Sequence, residues 1–275
     1  MLNRRRGITF ESKGVLKLMP AAAELLSPPP RLHGRRFSAF HKSDRNFFLT
    51  FLGLCWLGVA LGFFGPVTTR LKGHAEYPAP IILQVHMAAF LGWMLLFSIQ
   101  VFLVRSRNTL VHMSLGLSAF ALVPVMAVSA LLSEAYSQRF HHSRVGESFF
   151  IVPIFEIVAF TSLATAALLY RKVPAVHKRL IIMATAVIVG AAYGRWWDNE
   201  LIRLFGDGYF GTLVNTYTGC NILLAIAIAY DIVTRGRPHG VYWFAVPMIL
   251  FGEFATSGIY HWPAWLPVAR MLIGG

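Results

Sequence analysis

Seven stretches of about twenty mostly apolar residues decide what this chain can fold into. They run Asn46–Val67, Pro80–Val104, Met113–Ser133, Ser148–Tyr170, Arg179–Trp197, Phe210–Tyr230 and Val241–Trp262. An α-helix rises about 1.5 Å per residue, so each stretch matches the ~30 Å hydrocarbon layer of a bilayer. None alternates apolar and polar residues, which excludes membrane strands. A helix also satisfies its own backbone where no water is at hand. The sequence therefore predicts an all-α membrane protein, a bundle of seven transmembrane helices over residues 46–267. A basic zone precedes it (1–45) and a short tail follows (268–275). Composition agrees, with 56% hydrophobic and only 13% charged residues, against about 25% charged in a soluble domain.

The charges between the apolar stretches set a direction. The loops holding Arg105/Arg107, Arg171/Lys172/Lys178/Arg179 and Arg235/Arg237 are basic. The alternate loops carry Glu76, Glu134, Glu147, Asp198, Glu200 and Asp207, which offset their basic residues. The positive-inside rule puts the first set and the basic tail in the cytoplasm, and seven spans then place the C-terminus outside. Trp196, Trp197, Tyr260, Trp262 and Trp265 fall at the outer ends, as an interfacial aromatic belt requires. The net charge is +13, and ten of the 25 Lys and Arg precede residue 46. Spread in this way, the charge fits topology and contact with anionic lipid, not a nucleic-acid groove. The tail, with Arg4-Arg5-Arg6, Pro28-Pro29-Pro30 and Arg35-Arg36, has no sustained periodicity and reads as disordered or dispensable. Cys55 and Cys220 sit alone inside apolar stretches and read as packing residues. Gly58–Gly62 and Gly190–Gly194 allow close helix approach, within the bundle first and in a homo-oligomer second.

Ionisable groups among these stretches need a partner or a cavity. His86, Trp93 and Gln100 recur every seven residues on the second helix and share one face. His86 lies roughly 9 Å below the outer end and Glu156 about 12 Å below it on the fourth helix. Arg195 closes the fifth span, followed by Asp198, and Asn221 and Glu253 lie nearer the middle of the sixth and seventh. Depth alone lets His86, Glu156 and Arg195 meet in the outer half, with Trp93 and Gln100 completing a ligand-binding set. Arg195 would anchor an anionic group while His86 and Glu156 exchange a proton or ligate a metal. The plainer alternative is a buried ion pair with a hydrogen-bonded His that fixes helix register.

His112 and His177 stand at cytoplasmic helix entries and form a second metal candidate if they face each other. Headgroup contact is the simpler reading for both. His141-His142 is a doublet in an outer loop without further ligands, a weak metal signal. His261 reads as a belt residue, and Asp231 as a partner for Arg235 or Arg237.

Several of these residues recur as spaced motifs. They are His86-x3-Phe90-x2-Trp93, Gln100, Leu103-Val104, His112-x3-Gly116, His177-Lys178-Arg179-Leu180, Tyr230-Asp231-x2-Thr234-Arg235-Gly236-Arg237 and Pro263-Ala264-Trp265. On these, residues 46–275 resemble a widespread group of uncharacterised bacterial membrane proteins. The resemblance implies a seven-helix, multi-pass protein of the cell inner membrane and supplies no activity. The group carries Asp where this chain has Glu156, and Glu253 stands apart from its pattern.

Three functions compete. The first is a membrane protein that binds a small polar ligand, proton or metal in an outward-facing pocket. The second is a haem-binding electron carrier of cytochrome b type, for which a bundle core and recurrent His speak. His86 and His261 share a leaflet but differ in depth, and His112 and His177 match in depth but sit at the surface. The third is a non-catalytic assembly or scaffold factor. There is no phosphate-cradling Gly loop followed by Lys, no nucleophile elbow and no HExxH, so an enzymatic role is not expected.

Overall fold

The computed structural model describes residues 37–139 and 146–274. Most of the basic tail and the His141-His142 doublet lie outside these residues. The described chain is helical throughout: α1 Asp44–Leu71, α2 Ile81–Arg105, α3 Thr109–Gly116, α4 Ala119–Gln138, a 3-10 turn Glu147–Phe150 leading into α5 Ile151–Leu169, α6 Pro174–Phe205, α7 Tyr209–Arg235, α8 Tyr242–Tyr260 and α9 Trp265–Ile273. Six helices (α1, α2, α4, α5 with its 3-10 turn, α6 and α7) are long and apolar enough to cross a membrane. These are the dimensions of a multi-pass membrane protein. α8 is not among the six. Its 19 residues are long enough, but Glu253 interrupts its apolar run.

The helices depart from the apolar stretches in three places. The third stretch is broken into α3 and α4 at Leu117-Ser118. There the N–H groups of Leu117, Ser118 and Phe120 donate to carbonyls three residues back, and the Ser118 hydroxyl donates to the Leu115 carbonyl at 2.7 Å. This tightened turn redirects the chain. α6 is 32 residues long and outruns its apolar stretch at both ends, because its last turns carry Asp198, Asn199, Glu200 and Arg203. The stretch read as a C-terminal tail is mostly the helix α9, tied back where Arg139 donates to the Ile273 carbonyl at 2.7 Å.

α6 is the axis of the fold. It packs against α1, α5 and α7, and almost every residue from Arg179 to Tyr193 is buried. Small residues make this possible. A Cβ on Gly62 of α1 would stand 2.0 Å from the Ala192 carbonyl oxygen, and one on Gly219 of α7 would stand 2.3 Å from Tyr193 Cβ. The Gly pairs read from the sequence thus join α1 to α6 and α6 to α7 within the chain. Many large apolar residues are left exposed, as on α8, where Trp243, Phe244, Met248 and Phe251 are 70–77% exposed.

Candidate functional site

The helices run alternately between two ends. At the entry end, where α1 starts, lie the loops 106–108, 170–173 and 236–241. At the far end lie 72–80 and 206–208. Polar side chains gather in three places: near the far end, at mid-depth between α5, α7 and α8, and at the entry end.

Near the far end, α2, α5 and α6 bring His86, Glu156 and Arg195 within electrostatic reach, since Arg195 acts on both of the others. They do not bond to one another. Arg195 is exposed, donates to the Ala191 carbonyl at 2.9 Å and lies over the Phe63 ring at 5.2 Å. His86 packs on Phe90, with ring centroids 4.4 Å apart, and its Nδ1 is buried without a partner. Glu156 is half-buried and makes no hydrogen bond or ion pair with any described residue. Arg195, Glu134 and Glu253 all act on it electrostatically. Glu134 accepts from Gln138 at 2.6 Å.

Two residues placed in the same ligand set from sequence go elsewhere. Trp93 is buried; its Nε1 donates to Thr185 Oγ1 at 3.3 Å and its ring meets Phe160 edge-on. Gln100 points toward the entry end. With its amide set to satisfy the backbone, Nε2 donates to the His112 carbonyl at 3.1 Å and Oε1 accepts from the Gly116 N–H at 3.0 Å. It thereby contacts the backbone at both ends of the last turn of α3. The physical reason for the separation is length. Seven-residue spacing puts His86, Trp93 and Gln100 on one face but ~10 Å apart in depth.

His112 and His177 do meet, with ring centroids 6.4 Å apart. Nδ1 of His177 donates to the Ala167 carbonyl at 2.8 Å, which leaves its Nε2 as an acceptor. Nδ1 of His112 accepts from Gln100, so its proton sits on Nε2. The two tautomers suit a hydrogen-bonding relationship. In these tautomers His177 presents a lone pair at Nε2 and His112 an N–H. Burial, and secondly the neighbouring His177, hold the His112 imidazole below the ordinary histidine range. Among the described residues no group of three or more His, Cys, Asp or Glu is placed to hold a metal.

At mid-depth, Glu253 of α8 is 1% exposed. Its Oε2 accepts from Asn221 Nδ2 at 2.8 Å, while Oε1 has no partner. Tyr217 and Cys220 of α7 are both buried. Gly252 makes this possible: a Cβ there would stand 2.0 Å from the Phe155 ring, so α8 lies directly on α5.

The densest polar cluster is at the entry end, and the sequence reading did not assemble it. Arg179 pairs with Asp231 at two points, 2.6 and 2.5 Å. Asp44 accepts from Arg235 at 2.7 Å, Tyr230 at 2.6 Å and Lys178 at 3.0 Å. Arg235 also reaches Asp231, the expected partner, at 3.4 Å, but Arg179 from α6 is the nearer cation. Residues 37–40 strap the cluster: the Ser38 and Ala39 carbonyls accept from Arg235 and Lys178, and the Phe37 ring lies 4.5 Å from Arg179. The His177–Leu180 and Tyr230–Arg237 motifs therefore meet in space. The missed member was Asp44, whose only signal is an acid at the first turn of a membrane helix. The cluster is closed and its cations are paired, which marks it as structural.

No protein-family model, curated protein or solved structure matches this chain.

Proposed function

We propose that this chain is a seven-span inner-membrane protein, N-terminus cytoplasmic and C-terminus outside, that binds a small polar ligand in a pocket open to the far, outer end. Glu156 is the binding group, with His86 and Arg195 at its rim. One observation carries this reading: Glu156 holds no partner among the described residues, although three charged groups act on it. A carboxylate that only fixed helix register would be bonded to the helix it holds, as Asp231 is. The unpartnered His86 Nδ1 at similar depth offers a second polar contact. The seventh span is supported by α8, whose exposed face is Trp243, Phe244, Met248 and Phe251, a surface suited to lipid and not to water.

The test is a ligand screen by thermal unfolding of the detergent-purified protein, using small organic anions, organic cations and divalent metals. A stabilising compound should lose its effect in Glu156→Gln while the ligand-free melting temperature stays put. A Glu156→Gln variant that melts early without ligand would mean the carboxylate is structural, and the proposal would fall.

A further inference from the structure

Acids are sorted differently at the two ends of the bundle. At the far end Glu76, Glu200 and Asp207 are exposed among the cations. At the entry end the only acids among the described residues are Asp44 and Asp231, and both are buried. Each is already engaged: Asp44 by Lys178 and Arg235, Asp231 by Arg179 and Arg235. Lys42, Arg45 and Arg107 are exposed at this end, and their side chains make no ion pair or hydrogen bond with any described residue.

Arg105 draws two of the helix ends together. Its Nη1 donates to the Arg45 carbonyl at 3.0 Å and to Asn46 Oδ1 at 3.1 Å. One nitrogen thus fastens α2 to the start of α1, and Nε and Nη2 are left without a described partner. Two residues on, the turn that closes α2 is fixed by its backbone: the Ser106, Arg107 and Asn108 N–H groups donate to the Phe102, Val104 and Leu103 carbonyls. In that turn Arg107 has a φ of 62°, the only positive φ outside glycine among the described residues. Left-handed backbone favours glycine, so a cation is kept where a smaller residue would sit more easily. Cations gathered without an acid draw an anion from outside the chain.

The surface next to these cations says which anion. Arg45 and Arg105 stand at the ends of two helices long and apolar enough to cross a membrane, so they lie at headgroup level. Leu49 lies one turn beyond Arg45 on α1, and Phe102 and Ile99 lie one and two turns before Arg105 on α2. All three are 37–54% exposed. An anion that carries acyl chains meets both parts.

We propose that Arg45, Arg105 and Arg107 form a cradle for the phosphate of an anionic phospholipid, whose chains lie along Leu49, Phe102 and Ile99. The folded helix ends, beyond the basic tail, then select the lipid. The cradle depends on α1 and α2 spanning the bilayer, not on the Glu156 pocket or on the seventh span.

Electron spin resonance of the full chain in phosphatidylcholine bilayers tests this with two probes, spin-labelled phosphatidylglycerol and spin-labelled phosphatidylcholine. Wild type should hold the anionic label about fivefold more strongly than the neutral one, or better. Arg45→Gln and Arg107→Gln should each lower that ratio severalfold, and the double variant should bring it near one. Lys172→Gln removes an exposed cation of the same end from the α5–α6 loop and should leave the ratio unchanged. Arg107→Gly guards against misfolding: glycine suits this φ, so the variant should melt no earlier than wild type and still lose the preference. A wild-type ratio of one would overturn the proposal. So would equal losses from Lys172→Gln and Arg107→Gln, which would mean diffuse surface charge and no cradle. Displacement of the anionic label by inorganic phosphate at constant ionic strength would assign the site to a free anion and overturn the lipid.

Discussion

Arg179 of α6 and Asp231 of α7 grip each other at two points: Arg179 Nε stands 2.6 Å from Oδ2 and Nη2 stands 2.5 Å from Oδ1, with side chains only 4% and 2% exposed. The pair is completed by Arg235 on Asp231 and by the Ala175 carbonyl, which accepts from Arg179 at 2.7 Å. Leaving one member alone strands a buried charge. Asp231→Asn is expected to destabilise the fold by about 3–5 kcal/mol. Replacing both Asp231 and Arg179 by apolar residues should recover part of that loss. Denaturant unfolding in detergent reads the difference, and a single variant as stable as wild type would contradict this account.

Helix approach gives a paired prediction on α1. Gly62 has the Ala192 carbonyl where a Cβ would go, whereas Gly53 has nothing within 4 Å. Gly62→Ala should cost about 1–3 kcal/mol by overpacking. Gly53→Ala should be neutral or stabilising by up to about 1 kcal/mol through helix propensity. If thermal unfolding ranks the two variants the other way, α1 does not meet α6 as described.

The His112 ring contributes a pH dependence of known sign. Its folded value lies below the ordinary range because of burial and then His177. Above about pH 7.5 the ring is neutral in both folded and unfolded chains, and its contribution is complete. As pH falls, the unfolded chain takes the proton first and stability is lost. Melting temperature should therefore drop more steeply between about pH 7.5 and about pH 5 in wild type than in His112→Asn. Asn keeps the acceptor facing Gln100 but cannot titrate. Parallel curves would sink this prediction.

Topology is open to a direct measurement. Seven spans put the two ends of the chain on opposite sides of the bilayer; six put them on one side. Alkaline phosphatase fused after Gly275 should be active and green fluorescent protein fused there dark. The reverse pattern would leave α8 outside the set of spanning helices.

Deleting residues 1–36 leaves the strap at Phe37–Phe40 in place. Unfolding temperature should then be unchanged, whereas deletion through Phe40 should lower it by freeing Lys178 and Arg235 of their carbonyl partners. Equal effects of the two deletions would show that the strap does not brace the cluster.

The sequence by itself determined the material of this protein. Runs of about twenty apolar residues dictate helices that lie in lipid, because only helices and closed barrels satisfy a backbone there. The Gly58–Gly62 and Gly190–Gly194 spacings likewise announced close helix contacts. Tertiary structure decided the partners. Rise per residue fixes how deep a side chain lies but not which neighbour its helix turns toward, so Gln100 went to His112, Trp93 to Thr185 and Asp231 to Arg179, while Glu156 was left unbonded. That choice depends on helix rotation and crossing, which residues far apart in the chain set together as they pack.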